Sequence, residues 1–178
     1  MDSIKLQANQ VIVVDPEKCT GCRSCEMACS IRHFDVCGPN YSRIRIQEFG
    51  DGNTYIPVLC QACEEAVCIH VCPMNARIRE ESGAVVTDED TCVGCRACVY
   101  ACPFSAPVVN PETGKTMSCH FCVEDELGPW CVKACATEKA LRLLDTGDAA
   151  RVRSREWARQ WKQEQSYPRT EHDKSIPT

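Results

Sequence analysis

The sequence predicts an α+β fold of two interleaved modules, each built around metal ligands rather than a large apolar core. Three observations predict it: 17 of the 178 residues are cysteine, sixteen of these fall into four regular groups, and the groups repeat along the chain. Short apolar runs precede the groups and short helix-forming segments follow them, which supplies the mixed secondary structure.

The composition favours a metal protein in a reducing compartment. Aromatic residues make up only 6% of the chain, and small domains with little apolar burial depend on metals or cross-links. Residues 1–18 lack the basic, apolar and small-residue segments of an export signal. No uncharged apolar run approaches the ~18 residues of a membrane span. We therefore expect reduced cysteines, a cytoplasmic location and no direct membrane span.

The cysteines form four groups, in each of which two residues separate the first and second members. In order, the groups are Cys19, Cys22, Cys25 and Cys29; Cys60, Cys63, Cys68 and Cys72; Cys92, Cys95, Cys98 and Cys102; and Cys119, Cys122, Cys131 and Cys135. The first and third groups are alike between their cysteines (CTGCRSCEMAC and CVGCRACVYAC), and the second and fourth groups share a longer internal gap. The chain thus contains an internal repeat.

The spacing within the groups is that of iron–sulfur ligands. A bacterial ferredoxin run Cys-x2-Cys-x2-Cys-x3-Cys-Pro gives three thiolates to one 4Fe–4S cluster and the fourth to its neighbour. The second and third groups are adjacent and both end in Cys-Pro, so we pair them as an inner ferredoxin-like module, and the first and fourth groups then form the outer one. The predicted ligand sets are cluster A (Cys19, Cys22, Cys25, Cys135), cluster B (Cys29, Cys119, Cys122, Cys131), cluster C (Cys60, Cys63, Cys68, Cys102) and cluster D (Cys72, Cys92, Cys95, Cys98).

Four such clusters would use sixteen cysteines completely. No iron would keep an open position for a substrate, so we expect electron transfer and no catalysis. The main alternative is a zinc-binding structural module, because Cys-x2-Cys pairs are common in zinc sites. Three cysteines within seven residues, followed by a fourth, favour iron–sulfur clusters instead.

Strands and helices are predicted around the groups. Apolar runs at 11–14 and 84–86 predict strands that enter the first and third groups. Segments 24–32 and 97–101 predict short helices that carry the fourth cysteine of each group at their start. The hairpin insertion is predicted from alternating residues on both sides of a glycine-containing turn near residue 51.

The domain boundaries follow from these elements. We expect a four-cluster domain at 1–148 and a basic docking tail at 149–178. Within the domain we expect the outer module at 11–37 and 115–148, the hairpin at 40–59 and the inner module at 57–112. The tail sequence RVRSREWARQWK predicts a helix with Trp157 and Trp161 on one face, and docking on its own body and docking on a partner both stay open for it.

Several residues near the groups have two interpretations. Cys37 is left over and is predicted to be a free thiol, with a redox role as the alternative. His70 and His120 are expected to donate hydrogen bonds near clusters rather than to bind iron. Trp130 is expected to shield a cluster from water, with a role as an electron conduit as the alternative.

The charge excludes one class of partner. The formal net charge is −5, and four clusters at about −2 each bring the loaded protein to roughly −13. Nucleic acid is therefore not an expected partner. Arg23 and Arg96, within the ligand loops, are expected to offset part of the cluster charge.

The four groups in this order, with the phrases IPVLCQACEEAVC, VCPMNA, GAVVTDEDTCVGCRACVYACPFSAP and CHFC...CVKAC, resemble the four-cluster iron–sulfur subunits of the dimethyl-sulfoxide-reductase type of molybdenum and tungsten oxidoreductases. The resemblance implies an electron relay between a large molybdenum- or tungsten-pterin catalytic subunit and a second redox partner. This small form, with no C-terminal membrane helix, is most similar to the iron–sulfur subunit of tungsten aldehyde oxidoreductases, which implies a flavin (FAD) subunit as that partner. A free-standing polyferredoxin is the alternative, and self-stacking of copies into a longer assembly is a further expectation.

Overall fold

A computed structural model describes residues 10–50, 52, 54–123, 125–135, 139–152, 154 and 158. The chain divides into a compact unit that ends at Leu144 and a second unit that begins at Asp145. All seventeen cysteines lie in the described part of the first unit, and none of them forms a disulfide.

The elements are short and mix helix with strand. In chain order they are β1 (Gln10–Val14), α1 (Ser24–Phe34), β2 (Arg45–Phe49), β3 (Thr54–Val58), α2 (Val67–His70), β4 (Arg77–Arg79), β5 (Val85–Thr87), α3 (Ala97–Ala101), β6 (Val108–Val109), β7 (Thr116–Met117), α4 (Trp130–Ala134) and β8 (Leu141–Asp145). The α+β class is as predicted. No helix among the described residues is long and apolar enough to cross a membrane.

The strands pair two by two, as β1 with β8, β2 with β3, β4 with β5, and β6 with β7. The first pair joins the two ends of the unit, and beyond it the Asp15 N–H donates to the Ala140 carbonyl at 2.8 Å. Helix α1 packs against α4, while α2 packs against α3. The outer segments of the unit thus meet each other, and so do the inner ones. The interleaving of two complete modules stays a prediction.

The two predicted helices begin at the predicted residues, Ser24 and Ala97, but the fourth cysteine of each group does not lie at the helix start. Cys29 lies in the middle of α1, and Cys102 follows the last residue of α3. The expectation that the fourth cysteine stands at the helix start is therefore wrong. The reason is local: Arg23 (φ 59°) and Arg96 (φ 63°) have left-handed backbones that end the loops, so each helix begins beside the third cysteine.

The predicted hairpin is present as β2 and β3. These strands are antiparallel, with Arg45 opposite Val58 and Phe49 opposite Thr54. The first strand begins later than the alternating pattern suggests, because Pro39–Tyr41 forms a 3-10 turn that the fixed φ of proline favours.

Cysteines contribute much of the buried core. Five of the fifteen residues in the central apolar cluster are cysteine, and the aliphatic residues around them include Ile12, Ile44, Leu59 and Leu141. An apolar core of this size is small for the chain, so the fold depends on what the cysteines bind.

The second unit contains part of the predicted tail. Its described residues 146–152 are helical. Trp157 and Trp161 lie outside the described residues, so the docking face that they define stays a prediction.

Candidate iron–sulfur centres

Four cavities in the first unit each have four cysteines in their walls. They are cavity A (Cys19, Cys22, Cys25, Cys135), cavity B (Cys29, Cys119, Cys122, Cys131), cavity C (Cys60, Cys63, Cys68, Cys102) and cavity D (Cys72, Cys92, Cys95, Cys98). The four cysteines of each predicted set line the same cavity, and none of these four cavities contains cysteines of two sets.

A shared backbone turn shapes the start of all four loops. The residue two positions after the first cysteine has a left-handed backbone in each loop, and its N–H donates to the sulfur of that cysteine. These four residues are Gly21 (φ 69°), Ala62 (φ 45°), Gly94 (φ 69°) and Phe121 (φ 60°). The turn aims a backbone donor at a sulfur, which stabilises a thiolate.

Further N–H groups point at cysteine sulfurs in the cavities. The Arg43 N–H lies 3.3 Å from Cys29 Sγ, and the Ala76 N–H lies 3.3 Å from Cys72 Sγ. Backbone donors to thiolate sulfur and four soft sulfur ligands per cavity are the surroundings that a 4Fe–4S cluster requires. The residues present therefore fit such clusters.

Burial favours the neutral thiol at three of the four cysteines of cavity B. Burial raises the pKa of Cys119 and Cys131 well above the ordinary value, and raises the pKa of Cys122 to about 11. All four cysteines of this cavity are buried, whereas Cys22 in cavity A and Cys95 in cavity D are exposed. Iron binding in cavity B must therefore be coupled to proton release.

In cavity D the first cysteine of the loop behaves differently. Burial raises the pKa of Cys92, but hydrogen bonds from Thr116 and Gly94 outweigh this effect, so the pKa is lowered overall. Thr116 Oγ1 also lies 3.4 Å from Cys98 Sγ. A thiolate is thus easier to form here than in cavity B.

Two histidines lie beside cavity B. Their rings meet edge to face with centroids 4.9 Å apart, and both line the cavity. Burial, together with the charge of Arg43, lowers the pKa of His33 to about 3 and of His120 to about 4. His120 lies beside cavity B, and its Nδ1 accepts a hydrogen bond from the Cys122 N–H at 3.0 Å; its expected role as a donor stays a prediction. His33 was not predicted, although its position four residues after Cys29 puts it one helical turn away.

Other predicted residues divide into those at a cavity and those away from one. Trp130 lines cavity B, Arg23 lines cavity A and Arg96 lines cavity D. His70 is 71% exposed, 3.9 Å from Glu65, and lines none of the four cavities. Among the described residues, nothing supports the expected role of His70 as a hydrogen-bond donor near a cluster.

Cys37 also lies away from the cavities. Its side chain is exposed, and its Sγ lies 3.3 Å from Met27 Sδ. The sequence-based interpretation of a leftover thiol is consistent with this position.

Four cavities that are each lined by four cysteine thiols are the arrangement expected of an iron–sulfur electron-transfer protein. A family model described as a 4Fe-4S dicluster domain matches residues 52–145, and one described as a 4Fe-4S binding domain matches residues 11–34. The chain belongs to the 4Fe–4S dicluster family.

Curated relatives agree with this assignment. The chain is 37% identical to a putative electron transport protein of Escherichia coli strain K12, with 83% of this chain and 98% of the relative covered. It is 36% identical to a probable anaerobic dimethyl sulfoxide reductase chain of the same strain, with 80% of this chain and 75% of the relative covered. It is 37% identical to the polyferredoxin-like subunit of an aliphatic sulfonate oxidoreductase of Pyrococcus furiosus, with 80% of this chain and 82% of the relative covered.

These matches decide several predictions. The 4Fe–4S cofactor and the non-catalytic electron-transfer role are confirmed, and so is the resemblance to dimethyl sulfoxide reductase iron–sulfur subunits. The family match favours iron–sulfur clusters over the zinc alternative. The number of clusters, the ligand sets and the partners stay predictions.

Proposed function

We propose that the chain relays electrons through four 4Fe–4S clusters, held by the ligand sets A to D, in two interleaved ferredoxin-like modules. The observation that carries this proposal is that each predicted set of four cysteines lines its own cavity. The pairing of β1 with β8 and the packing of α2 on α3 support the division into an outer and an inner module.

The protein's own residues would hold the clusters and set their surroundings. Each cluster would supply a one-electron carrier, while the thiolates fix its position and the backbone N–H groups stabilise its negative charge. The buried wall of cavity B would exclude water, and the exposed cysteines of cavities A and D would leave those clusters near the surface. Exchange of electrons with other proteins would then occur at A and D.

We further propose that one partner is a large molybdenum- or tungsten-pterin catalytic subunit. The support is the nature of two relatives, one a probable chain of an anaerobic dimethyl sulfoxide reductase and one a subunit of an aliphatic sulfonate oxidoreductase. Within this class we propose a tungsten aldehyde oxidoreductase as the complex and an FAD subunit as the second partner, which is what the sequence resemblance implies. A cytoplasmic location agrees with seventeen free cysteines.

The test of the cluster proposal is anaerobic purification with iron and sulfide analysis, followed by EPR after dithionite reduction. We expect about sixteen iron and sixteen sulfide per chain, since each of four clusters holds four of both. The variant Cys131→Ser should lose iron, whereas Cys37→Ser, the matched control away from the cavities, should keep all of it. About half the iron in the wild type, or equal loss in both variants, would contradict the proposal.

The partner proposal has a separate test. A tagged chain should co-purify with a large pterin protein and a flavoprotein, and elemental analysis of that complex should find tungsten rather than molybdenum. A chain that purifies alone and reduces several unrelated acceptors would instead be a free-standing polyferredoxin. Self-stacking of copies predicts a molecular mass that grows with concentration, and one species at every concentration would exclude it.

A further inference from the structure

Arg77 is a buried arginine without a carboxylate partner. It lies on β4, and only 2% of its surface is exposed. Its Nη1 donates to the Thr87 hydroxyl at 2.6 Å and to the Ser118 hydroxyl at 3.0 Å, and its Nη2 donates to Cys68 Sγ at 3.7 Å. No ion pair of Arg77 exists among the described residues, and its Nε has no hydrogen-bond partner there.

An arginine in this position needs a negative charge near it. Burial of a charged group is strongly unfavourable unless the group is paired, and hydroxyl groups supply no charge. The guanidinium keeps its proton in proteins, so the cost cannot be relieved by neutralisation. The remaining neighbours that can carry negative charge are the cysteines around it.

Arg77 lines two of the four cavities at once. It is in the wall of cavity C and in the wall of cavity D. Its charge also opposes the burial that raises the pKa of Cys60 in cavity C.

Two elements hold the guanidinium in place between the cavities. Thr87 is the cross-strand neighbour of Arg77 on β5. Ser118 follows β7, and its hydroxyl donates in turn to the Val85 carbonyl at 2.9 Å. The two hydroxyl groups thus orient the guanidinium but do not neutralise its charge. The negative charge that balances it must come from what cavities C and D bind.

We propose that Arg77 is the shared counter-cation of clusters C and D and raises the reduction potential of both. The inference rests on the proposed ligand sets. Reduction adds a negative charge to a cluster, and a fixed cation in a buried site favours the more negative state. Because one cation serves two clusters, its removal affects both of them and leaves clusters A and B unchanged.

The experiment compares Arg77→Met, Arg77→Lys and Arg79→Met with the wild type. Arg79 is the matched control, since it is an arginine on the same strand that is exposed to solvent and lines neither cavity C nor cavity D, although it donates to the backbone carbonyls of Cys63, Glu64 and Gly83. Solvent screens its charge from the clusters. Iron content and an EPR-monitored redox titration are measured on each anaerobically purified protein. The comparison requires that the wild type shows four one-electron steps. Fewer steps would contradict the proposed four-cluster function and not the role of Arg77.

In Arg77→Met we expect two of the four steps of the titration to move to lower potential. For each of these two clusters the equilibrium constant for reduction should fall about tenfold, which corresponds to about 59 mV for one electron. Arg77→Lys, which keeps the charge, should move the same steps less, and Arg79→Met should move none. If Arg77→Met instead loads clusters poorly, restored iron in Arg77→Lys supports the charge role. Unchanged potentials in a loaded Arg77→Met, a shift in one step only, or equal iron loss in Arg77→Met and Arg77→Lys would overturn the proposal.

Discussion

The Nε2 atom of His33 lies 3.7 Å from the Sγ atom of Cys122. His33 is carried by α1, the helix that also carries Cys29, and Cys122 belongs to the loop on the far side of cavity B. One helix therefore supplies both a proposed ligand of cluster B and a ring nitrogen beside another ligand of the same cluster. A neutral imidazole with its proton on Nε2 would donate to the Cys122 thiolate.

Replacement of His33 should lower the potential of one cluster. In His33→Leu the thiolate of Cys122 loses a donor, and a hydrogen bond to a charged group contributes on the order of 1 kcal/mol or more. Because that bond strengthens as the cluster gains charge, we expect one step of the redox titration to move to lower potential. His70→Leu removes an exposed imidazole away from the cavities and should move none. Identical titrations of both variants would contradict the assignment of this hydrogen bond.

The loop of cavity D should not tolerate a side chain at Gly94. A Cβ there would lie 2.8 Å from the Gly114 carbonyl oxygen, at a φ of +69°. Gly83 is the matched control, since it has a φ of +84° with nothing within 4 Å. We expect Gly83→Ala to lower the free energy of unfolding by about 1 kcal/mol, because of backbone strain alone. Gly94→Ala should lower the free energy of unfolding clearly more, because the backbone segments at Gly94 and Gly114 must also move apart.

The measurement for this pair is the temperature at which the visible absorbance of the clusters bleaches, with iron content as a second readout. Gly94→Ala should bleach at a lower temperature than Gly83→Ala and should hold less iron. Equal bleaching temperatures would show that the close approach to Gly114 is relieved without cost.

The groups of cysteines were predictable because cluster ligation is a local requirement on spacing. Three thiolates within seven residues fix a loop whatever surrounds it. The assignment of Cys135 to the first loop required only the crossing rule and a count of the ligands, and the structure brings Cys135 to cavity A. The hairpin of β2 and β3 was predictable from the alternating apolar and polar residues and from the glycine-containing turn between them.

What surrounds the cavities was not predictable, because it depends on contacts between distant segments. Arg77 occurs in the sequence RIRE, which reads as a polar surface strand, and only its pairing with Thr87 and Ser118 buries it. Ala62 and Phe121 adopt left-handed backbones that favour glycine, so their sequence gives no sign of the turn that they share with Gly21.

Reactivity toward an alkylating agent should distinguish Cys37 from the other sixteen cysteines. Its exposed thiol lies outside the four cavities, whereas thiolates bound to iron do not react as free nucleophiles. In the loaded protein under anaerobic conditions, we expect iodoacetamide to label one residue per chain, located at Cys37 by peptide mass spectrometry. The variant Cys37→Ser should take up no label. Labelling at exposed Cys22 or Cys95 before any iron is lost would contradict the ligand sets of clusters A or D.

Removal of iron should unfold the first unit rather than leave an empty fold. Five of the fifteen residues of the central apolar cluster are cysteines, and the buried charge of Arg77 would lose its proposed counter-ions. Metal binding and folding are one equilibrium in small domains that lack a sufficient apolar core. We therefore expect treatment with a chelator and an oxidant, followed by reduction, to abolish the cooperative melting transition in far-UV circular dichroism and to expose all seventeen thiols to alkylation.

The control is the same protein carried through the buffers without chelator or oxidant, which should keep both its iron and its transition. Arg77→Met adds a sharper comparison, because the iron-free variant has no unpaired buried cation and should retain more residual helix than the iron-free wild type. An iron-free wild type that still melts cooperatively, with the thiols of cavity B protected from alkylation, would contradict this account. The ordinary packing around Ile12, Leu59 and Leu141 would then suffice to hold the fold.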